Sequence, residues 1–141
     1  LMIRQAPKLT HQGARAITEA AEAKAREIGV PQCIAVVDDG GHLLAFSRMD
    51  GGKISSVRVA ITKAVSAATR RSPTGPMPSA QEVSVLLSIG LPLAAGGNVT
   101  PIRGGLPIVA DSQVVGGIGV SSGTEQQDVD CAEAGLAALR P

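Results

Sequence analysis

Four charged residues in this chain are the strongest candidates for chemistry. Arg48 and Asp50 close a predicted strand, and Asp128 lies in the first turn of the last predicted helix, where the helix dipole favours a negative charge. Lys63 lies in an otherwise apolar helical segment, where a lysine either extends its ammonium group to water or pairs with a carboxylate. Two interpretations follow: an ion-pair network that ties helices to the sheet, or a pocket for an anionic ligand.

The same four residues could carry out proton transfer. On this hypothesis Asp128 or Asp50 is the general base, while Arg48 and Lys63 hold a small carboxylate substrate during isomerisation or hydration. We therefore expect Arg48, Lys63, Gly105 and Asp128 to line one concave site near the end of the sheet. The other hypothesis is a protein that binds a small molecule without turnover.

The composition argues against several classes of protein. The chain of 141 residues has one Phe, no Trp, no Tyr and a net charge of +1, so it lacks both the aromatic platforms and the basic surface of a nucleic-acid-binding protein. No run approaches the ~20 apolar residues of a membrane span, and we predict a soluble, cytoplasmic protein. Because His11 and His42 are the only histidines, no multi-histidine metal site is expected. Cys33 and Cys131 form neither a CxxC pair nor a disulfide framework and are expected on apolar faces.

Hydrophobic periodicity and turn residues predict helices packed on an antiparallel sheet, an α+β fold. Two hairpins are expected, one joining Cys33–Val37 to Leu43–Met49 and the other joining residues 107–110 to 114–121. Helices are predicted from a cap at Thr10 to Ile28, from Ser55 or Ser56 to Thr69, over residues 79–88, and from a Thr124 capping box to about Leu139. The proline-rich residues 70–79 are expected to form a loop, and residues 91–103 are ambiguous, with room for one edge strand.

Several motifs together resemble the GlcG/HbpS family, also called the haem-degrading or DUF336 family. The run from Asp38 to Asp50, DDGGHLLAFSRMD, is similar to that family's VVDxGGxLxAxxRMD segment, and Ile61-Thr62-Lys63-Ala64 is similar to its IxxxKA segment. Gly104-Gly105-Leu106-Pro107, the run from Val115 to Ser121 and Gln127-Asp128 resemble its GGxP, VVGAIGVSG and EQD motifs. The resemblance extends from about Leu9 to Leu139.

The resemblance implies a profilin-like central antiparallel sheet of about five strands flanked by helices. It implies one domain over residues 1–141 with its core at about 9–139, assembled as a homo-oligomer from dimer to octamer, and a haem, tetrapyrrole or other small-molecule ligand. The ligand-binding residues expected on this basis are Arg48, Lys63, Gly104, Gly105, Ser121, Asp128 and His11. The chain departs from the family in its 71–79 loop and at Leu91-Pro92-Leu93, where Ala95-Gly96-Gly97-Asn98 replaces an FGGG-type stretch. The loop is expected to border the ligand pocket, so its departure bears on ligand identity.

If haem is bound through a protein ligand, the composition shortens the list of ligands. The chain has no Tyr, and both cysteines are expected to be poor thiolates, so His11 and His42 are the main candidates. His42 follows a hairpin tip and should point to water, whereas His11 lies beside the first helix near the expected protomer edge. Self-association is expected also because Ala- and Gly-rich faces bury little surface within one chain.

Overall fold

The computed structural model describes residues 1–79 and 82–140. Its elements follow in the order α1 (His11–Ile28), β1 (Cys33–Asp38), β2 (Leu43–Arg48), α2 (Ser56–Arg70), β3 (Pro78–Ser79), β4 (Glu82–Val83), α3 (Val85–Ala94), β5 (Gly105–Ala110), β6 (Gln113–Ser121) and α4 (Glu125–Leu136). The main sheet has the strand order β2-β1-β6-β5, and every neighbouring pair is antiparallel. The α+β class and the antiparallel sheet flanked by helices are therefore confirmed.

The strand count differs from the expected value of about five. The main sheet has four strands, while β3 and β4 pair separately in a two-stranded sheet. The expected edge strand in residues 91–103 is not formed, because the first of these residues continue α3 and the rest form a turn and an irregular connection to β5.

The two faces of the sheet pack against different helices because successive strand residues point to opposite sides. Ile34 and Val36 of β1 belong to a core with α1 and α4, whereas the alternate residues Ala35 and Val37 face α2. On the α2 side the contact is close enough to need glycine. A Cβ at Gly119 would overlap the carbonyl oxygen of Ala60, so α2 lies with its backbone directly on β6.

Local capping explains where most helices begin and end. Thr10 Oγ1 accepts a hydrogen bond from Gly13 N at 3.0 Å, and Gly29 ends α1 in the left-handed conformation. Thr124 and Gln127 form the predicted capping box of α4. These two helix starts are confirmed.

The predicted helix over residues 79–88 is wrong in position. Glu82–Val83 is a strand, and the helix begins at Val85 because Ser84 caps it, its side chain accepting a hydrogen bond from Leu87 N at 3.1 Å. The helix then continues through Pro92 to Ala94. Residues 80 and 81 of the predicted helix lie outside the described residues.

Candidate functional site

Two of the four candidate charged residues meet in the interior. Lys63 Nζ lies 3.0 Å from Asp128 Oδ2 and donates a second hydrogen bond to the carbonyl oxygen of Val120 at 2.8 Å. The side chains of Lys63 and Asp128 are only 1% and 3% exposed. Asp128 Oδ1 also accepts a hydrogen bond from the backbone N–H of Gly123 at 3.0 Å, so both charges are paired.

The pair joins helices that pack on opposite faces of the sheet. Lys63 comes from α2 and Asp128 from α4, and the two side chains meet beyond the end of β6. The close approach of the two side chains requires glycine at position 104. There φ is +123°, and a Cβ would lie 2.8 Å from Lys63 Nζ and 3.0 Å from Asp128 Cβ. Gly105 follows, and a Cβ there would overlap the carbonyl oxygen of Lys63. The two glycines therefore make room for the lysine.

This geometry supports the ion-pair interpretation for Lys63 and Asp128. Both side chains are almost completely buried, so a substrate carboxylate could not reach them in this conformation. Ser121 ends β6 beside this pair and is itself 7% exposed. The expected role of these residues in general-base catalysis receives no support from the arrangement.

Arg48 and Asp50 do not join the pair. Both are exposed, and among the described residues neither forms an ion pair with Lys63 or Asp128. Arg48 does lie at the same end of the sheet, because it is opposite Cys33, which is in turn opposite Ser121. Strand β1 separates the edge strand β2 from β6, and a single concave site that joins Arg48 to Lys63, Gly105 and Asp128 stays a prediction.

His11 lies at a different place, an open hollow between α1 and β2. The hollow has a volume of about 420 Å³ and is lined by His11, Arg15, Thr18, Glu19, Glu22, Ala45, Phe46 and Ser47. Its lining includes Phe46, the chain's one aromatic side chain. Arg15 NH2 lies 3.3 Å from Glu19 Oε1, and both side chains remain largely exposed. Arg15 and Phe46 were not predicted as site residues, although the spacing of His11 and Arg15 along one helix places them on the same face.

The two histidines differ in their surroundings. His42 is highly exposed, as expected, but its Nδ1 lies 3.2 Å from Asp38 Oδ1. His11 is also exposed, and among the described residues its imidazole forms no hydrogen bond. His11 is thus the histidine whose ring nitrogens are both available to a ligand.

The two cysteines are buried, as expected. Burial raises the pKa of the Cys33 thiol, an effect that the nearby Arg48 charge only partly offsets. Burial also raises the pKa of Cys131. Both thiols are therefore poor thiolate ligands. Within residues 1–79 and 82–140, no group of three or more His, Cys, Asp or Glu side chains could hold a metal ion, and no helix there has the length and apolarity to cross a bilayer.

Comparison with known proteins shows where this architecture occurs. Residues 9–137 match the family described as "Haem degrading protein HbpS-like". The chain belongs to the HbpS-like family. It is 36% identical over 132 residues to an uncharacterised 15.0 kDa protein of Citrobacter freundii from the dhaT-dhaS intergenic region, covering 94% of this chain and 92% of that one.

Two solved structures extend the likeness of this HbpS-like chain to three dimensions. The crystal structure of Klebsiella pneumoniae protein ORFY has a TM-score of 0.86 and 33% identity, covering 98% of this chain and 94% of that one. The crystal structure of a PduOC:heme complex has a TM-score of 0.82 and 28% identity, covering 94% and 96% respectively.

The geometry also explains what the family motifs do in this HbpS-like chain. The Gly104-Gly105 motif, the glycine-rich β6 motif and the Gln127-Asp128 motif all converge on the buried pair and on the packing of α2. These three motifs therefore build the frame of the domain. The exposed hollow beside α1 is formed by residues of α1 together with Ala45, Phe46 and Ser47 of the Asp38–Asp50 motif.

Proposed function

We propose that this protein binds haem or a closely related tetrapyrrole, without turnover of its own, in the hollow between α1 and β2. The observation that carries the proposal is the similarity, over nearly the whole chain, to a structure solved with haem bound. The family description, which names haem, agrees with it.

Three residues of the hollow offer groups that such a ligand would use, beside the carboxylates of Glu19 and Glu22. His11 offers an exposed imidazole, the commonest protein ligand to haem iron in binding proteins. Arg15 is a cation one helical turn away that would bind a propionate, and Phe46 supplies an apolar wall. Haem, when bound, would supply an iron centre that takes a protein side chain as ligand. His11 would hold that iron, and Arg15 and Phe46 would orient the macrocycle.

The burial of the two cysteines and of Met77 also supports His11. Cys33 and Cys131 lie in the core with raised pKa values, and Met77 is only 6% exposed. His42 holds Asp38 through its Nδ1. Of these groups, His11 is the one that is both exposed and without a hydrogen bond to its side chain among the described residues.

The remaining parts of the proposal are assembly and location. We propose a homo-oligomer, between dimer and octamer, and retain a cytoplasmic location and a single domain over residues 1–141 as predictions. Arg48 also stays a prediction as a ligand contact and Asp50 as a general base, because both side chains are exposed near the end of β2.

A haem titration followed by Soret absorbance tests the site. We expect His11→Ala to shift the Soret band and to weaken binding by at least about tenfold, which is about 1.4 kcal/mol. His42→Ala is the matched control and should behave like the wild type. Arg15→Gln should weaken binding less than His11→Ala without changing the band position, because it affects a propionate and not the iron.

Two outcomes would overturn this assignment. If His11→Ala and the wild type gave the same spectrum and affinity, ligation by His11 would be excluded. A stoichiometry far above one haem per chain would show nonspecific adsorption and remove the proposed site altogether.

A further inference from the structure

A second hollow lies at the end of β6 opposite the Lys63–Asp128 pair. It has a volume of about 360 Å³, which is within the range of small-molecule pockets. Four separate parts of the chain line it: the segment before α1, the β1–β2 turn, the C-terminal end of α2 and the β5–β6 turn. We call this hollow the arginine cleft, and its polar and charged side chains are Arg4, Asp39, Arg71, Ser112 and Gln113.

The charges around the arginine cleft are not balanced. Among the described residues, neither Arg4 nor Arg71 forms an ion pair. Asp39 is the one acid among the described residues that line the cleft, and Lys8 Nζ already lies 2.8 Å from its Oδ2. Asp111 belongs to the neighbouring turn but is exposed and does not line the cleft. Three cations and one carboxylate therefore leave a net charge of +2.

Arg71 has a backbone conformation that favours glycine. It ends α2 with φ +58°, in the left-handed region, and its backbone N–H donates to the carbonyl oxygen of Ala67. Glycine is the usual residue at such a position, because a Cβ is crowded there. The cap itself needs only the backbone of Arg71, so the fold does not explain why this position carries a guanidinium group.

The helix dipole explains only part of this arrangement. A cation near the C-terminal end of a helix interacts favourably with the partial negative charge of the last carbonyl groups. At this end of α2, however, the carbonyl oxygen of Ala67 already accepts hydrogen bonds from the backbone N–H groups of Arg71 and Ser72. The dipole also gives no reason for Arg4, which comes from the segment before α1, to line the same cleft.

The β5–β6 turn has the same unusual feature as Arg71. Its two central residues, Asp111 and Ser112, have φ values of +51° and +62°, a pattern for which glycine is common at the second position. Ser112 places a hydroxyl group in the lining of the cleft, and Gln113 adds a side-chain amide. Both groups can donate hydrogen bonds. Non-glycine residues in left-handed conformations cluster at ligand sites, and here two of them, from separate turns, line one hollow.

We propose that the arginine cleft binds a small dianion through its phosphate or carboxylate oxygens. The guanidinium groups of Arg4 and Arg71 each present paired N–H donors that match such oxygens, and Ser112 and Gln113 supply neutral donors. The net charge of +2 matches a dianion better than a monoanion. Ala68, which is 2% exposed, is a small residue in the lining and leaves the volume open.

This site is separate from the one proposed for haem. The arginine cleft and the hollow that contains His11 share no lining residue. Failure of either proposal therefore leaves the other intact.

Isothermal titration calorimetry at low ionic strength tests the site, with inorganic phosphate and succinate as dianionic probes and acetate as the monoanion. We expect saturable binding of at least one dianion with a Kd of about 1 mM or lower, and at least about tenfold weaker binding of acetate. Binding of phosphate alone assigns a phosphoryl ligand, and binding of succinate alone assigns a dicarboxylate. Either result supports the proposal.

Substitution of Arg71 separates binding from folding. Arg71→Gly removes the guanidinium group but suits the left-handed backbone, so the variant should unfold at the wild-type temperature or above it while its affinity for the dianion falls at least about tenfold. Arg71→Lys keeps the charge without the paired donors and should lose less. Arg58→Gln is the matched control, because Arg58 is an exposed arginine near the other end of α2, and it should bind like the wild type.

A second measurement locates the bound anion without a substitution. In an NMR titration with the dianion that binds, the amide signals of Arg71, Ser112 and Gln113 should shift, while that of His11 should not. The proposal is overturned if neither phosphate nor succinate binds saturably, if Arg71→Gly keeps the wild-type affinity, or if Arg58→Gln loses as much affinity as Arg71→Gly. The last result would show attraction to the overall charge of the protein and not to this cleft.

Discussion

The end of the sheet near Lys63 and the exposed face of helix α3 reverse the usual distribution of polar and apolar residues. Lys63 and Asp128 are almost completely buried, whereas Leu86 and Leu93 are 82% and 77% exposed. The buried charges each have a counter-charge and a backbone partner. The exposed leucines have no such partner within the described chain.

This comparison separates unusual residues whose surroundings are satisfied within one chain from those whose surroundings are not. A buried charge that is paired and hydrogen-bonded stabilises the fold and needs no ligand. A short apolar helix gains most of its stability from packing against another surface. Contacts within the domain therefore explain the charged motif residues but not the exposed leucines of α3.

The largest effect is expected from breaking the buried pair. Lys63→Met would leave the Asp128 carboxylate buried without its counter-charge, and we expect the free energy of unfolding to fall by about 3–5 kcal/mol. Urea unfolding measures this change. The double variant Lys63→Met/Asp128→Asn removes both charges and should recover a large part of the loss.

The exposed pair Arg15–Glu19 provides the control for that experiment. Its side chains are 63% and 66% exposed, so Glu19→Gln should change the free energy of unfolding by no more than about 0.5 kcal/mol. A loss of less than about 1 kcal/mol in Lys63→Met would contradict our interpretation of the buried pair.

A smaller loss of stability is expected from filling the space that Gly104 leaves beside Lys63 and Asp128. Gly104→Ala would place a Cβ 2.7 Å from the carbonyl oxygen of Val120 and 2.8 Å from Lys63 Nζ, at a backbone φ of +123°. We expect a loss of about 1–3 kcal/mol by thermal or urea unfolding.

Gly90→Ala is the matched glycine substitution in α3. A Cβ at Gly90 meets nothing within 4 Å, so alanine should leave the fold unchanged or stabilise the helix by about 0.5–1 kcal/mol. Equal losses in the free energy of unfolding of Gly104→Ala and Gly90→Ala would show that the close contacts around Gly104 do not require glycine.

The sequence predicts local structure well where local interactions decide it. Thr10 and Thr124 begin their helices as expected, because a cap is made by residues within one turn. Ser79–Ser88 was misplaced because Ser84, and not Ser79, provides the cap. Apolar periodicity alone does not distinguish two serines that could each begin the same helix.

The candidate site depended on contacts between distant parts of the chain. Lys63 on α2 and Asp128 on α4 belong to helices on opposite faces of the sheet. Their side chains meet because Gly104, which has no side chain, leaves space for them. Arg48 lies at the same end but on an edge strand, and strand order cannot be derived from hairpins alone. The hollow beside His11 is formed by α1 and β2, and no single sequence motif includes both elements.

The smallest effect concerns an exposed ion pair, which sharpens the contrast with the buried one. Lys8 Nζ lies 2.8 Å from Asp39 Oδ2, with the two side chains 67% and 36% exposed. The hydrogen bond from Lys8 lowers the pKa of Asp39. A lowered pKa means that the pair stabilises the fold above the unfolded-state pKa of aspartate, and that this contribution is lost as the pH falls through the folded-state value.

Because both groups are exposed, solvent screening limits the contribution to no more than about 1 kcal/mol. We therefore expect Asp39→Asn to reduce stability slightly at pH 7 and to match the wild type near pH 2, as measured by urea unfolding at both values. At 1 M salt, where the screening length is about 3 Å, the difference at pH 7 should disappear, whereas the loss in Lys63→Met should persist. An Asp39→Asn difference that persists at pH 2 or at high salt would show that Asp39 acts through packing and not through its charge.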